Sequence, residues 1–327
     1  MESQLNAMEG WVNMDQMQNY HSTYNLHVWR TAVNAPTEMI RKRLMRLGAT
    51  LSAALLVTLV SACSPDHNEN VQKMPETIEI TPNQSGKALL ARYPHQIKLL
   101  NRPPNVNFYS LDWPRNALGT VQVKTGNHVA VIKDVLGISG SDDPNFASED
   151  IVEWHVYAGL ATEEEIPHDL ARQRFLALLQ EIRKAGWQRY VGRGHPRLKG
   201  STALRYALSS RTYALDPDYP LSLQEWMSMP DDTMWRFQLE NAYLMLTLTR
   251  DPQRKDVNKK GAYFVKLSLN GANEEARRIV GPARRADWQA ALPEELKLLK
   301  QDRERAEQVL RQQGVAIDES YQDPKLP

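Results

Sequence analysis

The sequence predicts an α+β fold built of antiparallel, β-rich units, each followed by a helix. Alternating Val121, Val123, Val129 and Val131 flank Thr125-Gly126-Asn127, a strand–turn–strand signature. Leu170, Phe175, Leu178, Leu179 and Ile182 recur at helical spacing between Pro167 and Lys184, and Gly186 supplies a stop. A similar order recurs later in the chain, where a helix, Gly314 and Val315 mirror the earlier helix, Gly186 and Trp187. Two arrangements stay open: two similar lobes, 88–200 and 201–327, or one continuous α+β domain.

In chain order, 88–100 reads as a short helix or strand closed by Pro103-Pro104. The valine hairpin follows, and then 137–148, whose Gly, Ser, Asp and Pro residues predict an exposed loop. Ile151–Tyr157 reads as a strand with Ile151, Glu153, His155 and Tyr157 on one face and Val152, Trp154 and Val156 on the other. The helix 167–184 comes next, and Trp187–Val191 returns as a strand. Thr233–Arg250 and Gly261–Asn270 are strand-rich, with Tyr263, Val265, Leu267 and Leu269 in clean alternation. A last helix spans 293–313, with Glu294 and Glu295 at the positive end of its dipole, and Val315-Ala316-Ile317 reads as another return strand. Of eight tryptophans, Trp113, Trp154, Trp187, Trp226, Trp235 and Trp288 fall in the folded part and are expected mostly in its core.

Upstream, Arg41, Lys42, Arg43 and Arg46 precede a charge-free apolar run, Leu47–Ala62, which ends in Val60-Ser61-Ala62-Cys63. As a helix those sixteen residues would span about 24 Å, short of the roughly 30 Å hydrocarbon core. A basic start, a short apolar run and small residues before the cut describe a secretory signal over 39–62. These residues resemble the signal peptides of bacterial lipoproteins, which end in an aliphatic residue, two small residues and a cysteine. The resemblance implies that Cys63 receives a diacylglyceryl thioether, becomes the mature N-terminus and is then N-acylated. More than one acyl chain makes anchoring durable. Ser64 stands where aspartate would resemble an inner-membrane retention signal, so the resemblance implies a periplasm-facing outer-membrane anchor. The alternative is an uncleaved single anchor in the inner membrane. Residues 1–38, polar and without apolar period, are expected to lie outside the working protein, with translation starting at Met39. A cytoplasmic tail is the alternative. Residues 63–87 carry Pro65, Pro75, Pro82 and Gly86 with little apolar content and read as a tether.

The charge balance argues against nucleic acid as a partner. The whole chain carries a formal charge of +1, and five basic and four acidic residues precede Cys63, so the remainder is formally neutral. Cys63 is the only cysteine, which removes disulfides, thiol nucleophiles and cysteine-ligated metals from the mature chain. His128, His155, His168 and His195 show no paired ligand spacing, so no metal or cofactor site is expected. His155 reads as a packed sheet residue and His168 as part of local capping. Gly137-Ile138-Ser139-Gly140-Ser141 lacks the last glycine of a nucleophile elbow, and Gly192-Arg193-Gly194-His195 lacks the Lys-Ser/Thr of a phosphate loop and reads as a surface turn. Glu163-Glu164-Glu165 and Asp142-Asp143 read as solvated loop charges. Arg277, Arg278, Arg284 and Arg285 concentrate charge around Gly281-Pro282 and are the candidate partner-binding residues, for an acidic protein surface or lipid headgroups.

Without a catalytic constellation, the leading expectation is a protein-binding module. In general layout the chain resembles lipoprotein immunity proteins associated with type VI secretion effectors, the Trp187-Gln188-Arg189-Tyr190-Val191 and Pro196-Arg197-Leu198-Lys199-Gly200 stretches carrying that likeness. This implies inhibition by occluding an effector's active site through a few buried anchors. The competing expectation is an envelope hydrolase or a lipid- or cell-wall-handling factor. It needs a pocket joining His155 or His195 to a carboxylate and a nucleophile.

Overall fold

In the computed structural model, which describes residues 74–103 and 105–327, the chain opens with β1 (Thr77–Ile80) and a short helix, α1 (Gly86–Arg92). Five strands follow: β2 (Lys98–Arg102), β3 (Val106–Asp112), β4 (Gly119–Thr125), β5 (His128–Asp142) and β6 (Ile151–Ala158). The two-residue β7 (Ile166–Pro167) runs into α2 (His168–Lys184), after which come β8 (Gln188–Arg189), α3 (Gly200–Ser209) and α4 (Leu223–Ser228). The second strand group is β9 (Thr233–Leu239), β10 (Ala242–Arg250), β11 (Lys260–Gly261) and β12 (Tyr263–Gly271), and α5 (Ala272–Val280) and α6 (Trp288–Gln312) follow it. The fold is α+β.

Ten strands form one sheet in the order β1-β4-β5-β6-β12-β10-β9-β8, with β2 bonded to β3 and β3 to β5; β7 and β11 pair separately. The seam between the halves is β6 against β12, with Val156 opposite Leu267. The strand groups before and after residue 200 therefore share a single sheet. Among the described strands only β1 and β4 pair in parallel.

One face carries the core. Ile78, Val121, Ile132, Trp154, Val156, Leu246 and Leu267 are all at most 1% exposed. Phe175, Leu179 and Ile182 of α2 pack among them, the Phe175 ring 4.6 Å from that of Trp235. All six tryptophans expected in the fold are at most 5% exposed. Because each strand is amphipathic with period two, its other face is left for other uses.

The sheet is curled. A Cβ placed on Gly126, in the β4–β5 turn, would lie 2.9 Å from both carboxylate oxygens of Glu240 in the β9–β10 turn. These turns are separated in the sheet by β6 and β12, so the two ends have bent toward each other. A Cβ on Gly186, which follows α2 with φ +99°, would lie 2.8 Å from His128 at the start of β5. The C-terminal end of α2 thus sits at the same end of the sheet.

Several sequence expectations are corrected. Residues 77–80 belong to the fold rather than a tether: Ile78 and Ile80 are fully buried, and the Trp113 indole donates to the Pro75 carbonyl at 2.7 Å. The expected loop at 137–148 is strand through Asp142, because Gly137–Ser141 are bonded to β3 on one side and β6 on the other. Only a 3-10 turn, Pro144–Glu149, interrupts the path to β6. The last helix starts at Trp288 and carries Pro293 within it. Burial of Trp288 and Leu292 against Ala276 of α5 offsets the one backbone bond that the proline removes. Residues 315–317 form no strand. The signal and lipidation residues, Val60, Ser61, Ala62 and Cys63 included, lie outside the described residues.

Candidate functional site on the outer sheet face

The strand registers place the outward side chains in rows. One row runs Ser110, Ser139, His155, Ser268, Met245 and Arg236 across β3, β5, β6, β12, β10 and β9. The next runs Tyr157, Lys266, Thr247 and Met234. A third, Glu153, Asn270 and Tyr243, is held by α5, which turns back over the sheet after Gly271: Arg278 bonds Glu153 and Asn270, and Arg236 bonds Glu275 at 2.6 Å. Among the described residues no helix is bonded to the Tyr157–Met234 row. Tyr157, Met245, Thr247, Lys266 and Met234 are half-buried there, and Tyr157 stacks on Phe264 at 5.9 Å. This is an apolar–polar mosaic held on a rigid sheet.

Its electrostatics follow from the same geometry. Burial raises the Glu153 carboxyl, but Arg278, His155 and Lys266 outweigh it and hold it down at about 2. Burial, helped by Glu153 and Asp112, pushes the Tyr157 phenol up to about 12. Burial lowers Lys266 from its ordinary value. Glu153 therefore stays ionised at neutral pH, and Tyr157 stays a neutral hydrogen-bonding group.

The structure joins His155 to both a carboxylate and a hydroxyl: its Nδ1 is 3.0 Å from Ser268 Oγ and its Nε2 is 3.5 Å from Glu153. Three features keep this set from acyl transfer. Ser268 is 1% exposed, so a substrate carbonyl has no approach to it. It sits mid-strand between β6 and β10, where the ladders consume the backbone amides that would form an oxyanion hole. Glu153 is committed to Arg278. The set reads as a sheet-stabilising network.

The four candidate arginines do not form an open cationic surface. Arg277 is fully buried and clamps Glu149 at 2.7 and 3.0 Å and Glu274 at 2.9 Å, with Phe146 3.9 Å from its guanidinium. Arg278 is tied to Glu153, and Arg285 to Asp143 and Glu274 at 2.9 and 2.8 Å. Only Arg284, 50% exposed and paired with Asp287, stands at the surface. The expectation is corrected for the other three, because each is neutralised by carboxylates of the fold, Arg277 buried and Arg278 and Arg285 half-buried. Asp143 is consequently an interior partner of Arg285 rather than a solvated loop charge.

Two further expectations change. Gly192–His195 is not a surface turn: Arg303 of α6 donates to the carbonyls of Gly192 and His195 at 2.8 and 2.9 Å, and the Tyr321 hydroxyl accepts from the Val191 N–H at 2.9 Å and donates to its carbonyl at 3.4 Å. His168 does not cap α2. It is 2% exposed and bonds Tyr263 and, at 3.0 Å, the Asp256 carbonyl. Among the described residues no cluster of histidine and carboxylate side chains is placed to hold a metal. No described helix is long and apolar enough to cross a membrane.

A cavity of about 330 Å³ opens where the two ends of the sheet meet, lined by Glu79, Lys124, Thr125, Gly126 and Glu240, among others. Sequence reasoning missed it because its walls come from turns more than a hundred residues apart. No protein-family model, curated protein or solved structure matches this chain.

Proposed function

We propose that this chain is a lipid-anchored, periplasm-facing protein-binding module, attached to the outer membrane through an acylated Cys63. Its partner docks on the outer sheet face around Tyr157, Met245 and Lys266. A secreted effector whose active site is covered by that face is the partner class that the immunity-protein likeness favours.

The observation that carries the reading is the half-buried row of Tyr157, Lys266, Thr247 and Met234 beside Met245, set on strands bonded on both sides. An aromatic side chain on a preorganised surface loses little conformational entropy on binding, and methionines beside it add apolar area that adapts to a partner's shape. The one histidine–hydroxyl–carboxylate set on this face is sealed, which favours binding over turnover. In sequence, eleven residues separate Cys63 from Pro75, which the Trp113 indole pins to the folded unit.

The reading is tested by placing the photo-crosslinking residue p-benzoylphenylalanine at Tyr157 in the full chain, in the source cells. A single stoichiometric protein adduct is expected from Tyr157 and none from the exposed control position Gln253. Equal adducts from both positions count against the reading.

A further inference from the structure

We propose that Lys266, with the hydroxyls of Tyr157 and Thr247 beside it, is the docking face's receptor for a carboxylate, into which the partner protein seats an aspartate or glutamate side chain. The proposal rests on the docking reading above and names the chemistry of its partner. The three residues are cross-strand neighbours, Tyr157 opposite Lys266 and Lys266 opposite Thr247. Opposed side chains of an antiparallel pair start about 5 Å apart, within reach of one ligand group. Tyr157 Oη, Lys266 Nζ and Thr247 Oγ1 make no hydrogen bond among the described residues, yet none of them is sealed from solvent. In the free chain water can satisfy all three. A partner that covers the face displaces that water and must replace its hydrogen bonds.

The carboxylates around the row are already engaged. Glu153 is tied to Arg278, Asp232 accepts from Thr249 at 2.8 Å, and Asp112 lies 3.8 Å from Lys98. The charges of Glu153 and Asp232 act on Lys266 from a distance, and among the described residues no carboxylate forms an ion pair with it. Burial already weighs against its ammonium.

A partner that covered the neighbouring Met245, Met234 and Phe264 with apolar groups alone would strip the remaining water from this charge and put nothing in its place. A basic group would meet like charge. A carboxylate brings the opposite charge and two oxygens, which can accept from the ammonium and from a neighbouring hydroxyl together. Tyr157 is suited to donate, because its phenol, pushed up to about 12, keeps its proton at neutral pH. The apolar side chains then shield the pair from water, and a partner lacking the acid is rejected.

The test uses the full chain in source cells opened just before crosslinking. p-Benzoylphenylalanine at Met245 reports docking, and a water-soluble carbodiimide reports the contact by joining Lys266 Nζ to a carboxylate that touches it. One partner protein is expected in both adducts, with the isopeptide mapped by mass spectrometry to Lys266 and to an aspartate or glutamate of that partner. The exposed Lys297 should form none with it. Lys266→Arg should keep the Met245 adduct and lose the isopeptide. Lys266→Glu should cut the Met245 adduct at least about tenfold, and Tyr157→Phe about threefold. The carbodiimide arm uses the unaltered chain, so it does not depend on any variant folding. A Met245 adduct without the Lys266 isopeptide, or one of undiminished yield in Lys266→Glu, overturns the proposal and leaves the docking reading standing. No adduct at Met245, or one with lipid alone, overturns both.

Discussion

Removing the Arg277 guanidinium should be among the most damaging single changes in the fold. Its side chain is fully buried, and it supplies two bonds to Glu149, one to Glu274 and a cation–π contact with Phe146. In Arg277→Ala, Glu274 keeps Arg285, but Glu149 keeps only Asn273, at 2.9 Å. Breaking a buried pair costs about 3–5 kcal/mol. Because the Glu149 side chain is 17% exposed and can recruit water, the expected loss is near the lower bound, about 3 kcal/mol. Arg284→Ala removes a half-exposed pair on the same stretch of chain and should leave the unfolding midpoint almost unmoved. Urea unfolding of both variants at neutral pH, with an unchanged m-value, reads the difference directly. The effect should also fade in acid. The Arg277 hydrogen bonds hold the Glu149 carboxyl below its ordinary value. Its contribution is therefore full above the unfolded-state pKa of about 4.3 and is lost as pH falls through the folded-state value. Equal, small losses from Arg277→Ala and Arg284→Ala would refute the buried clamp and restore an open cationic surface.

Other expected outcomes follow from separate parts of the structure. Gly140→Ala should cost about 1–3 kcal/mol in urea unfolding, because the new methyl would lie 2.8 Å from the Trp154 ring; a neutral effect would argue against strand structure at 137–142. Burial, reinforced by Arg236 and Arg303, holds His195 down at about 4. Below about pH 6.5 the unfolded chain takes a proton that the folded chain refuses, so stability should fall by up to about 3 kcal/mol between pH 6.5 and 4. His195→Gln should flatten that slope, as measured by urea midpoints across the range. Cys63→Ser should move the protein from the envelope to the soluble fraction, and unchanged fractionation would defeat the lipid anchor.

The sequence made the strands legible where alternation was strict, as in Tyr263–Leu269 and Ile151–Tyr157, and it also placed Glu153, His155 and Tyr157 together on one face. It misled where composition stood in for environment. Gly137–Ser141 has the residues of a loop, yet Gly140 is needed because Trp154 fills the space that a side chain would occupy. Thr77–Ile80 is too short and too closely bracketed by Pro75 and Pro82 to show a period, though its two isoleucines are fully buried. The arginine cluster looked free because its main partner, Glu149, lies 128 positions from Arg277. Charge in a sequence reports nothing about such distant compensation. The cavity was invisible for a related reason: it exists only once the sheet curls and brings Gly126 to Glu240.

The most direct test of the binding-module account is the crosslinking yield at Tyr157 in the full chain, compared with the same position in a Lys266→Glu, Met245→Arg background. The account predicts one protein adduct that disappears with the two surface changes while urea unfolding of the variant stays cooperative, showing that it is still folded. An adduct of undiminished yield in that background would contradict it.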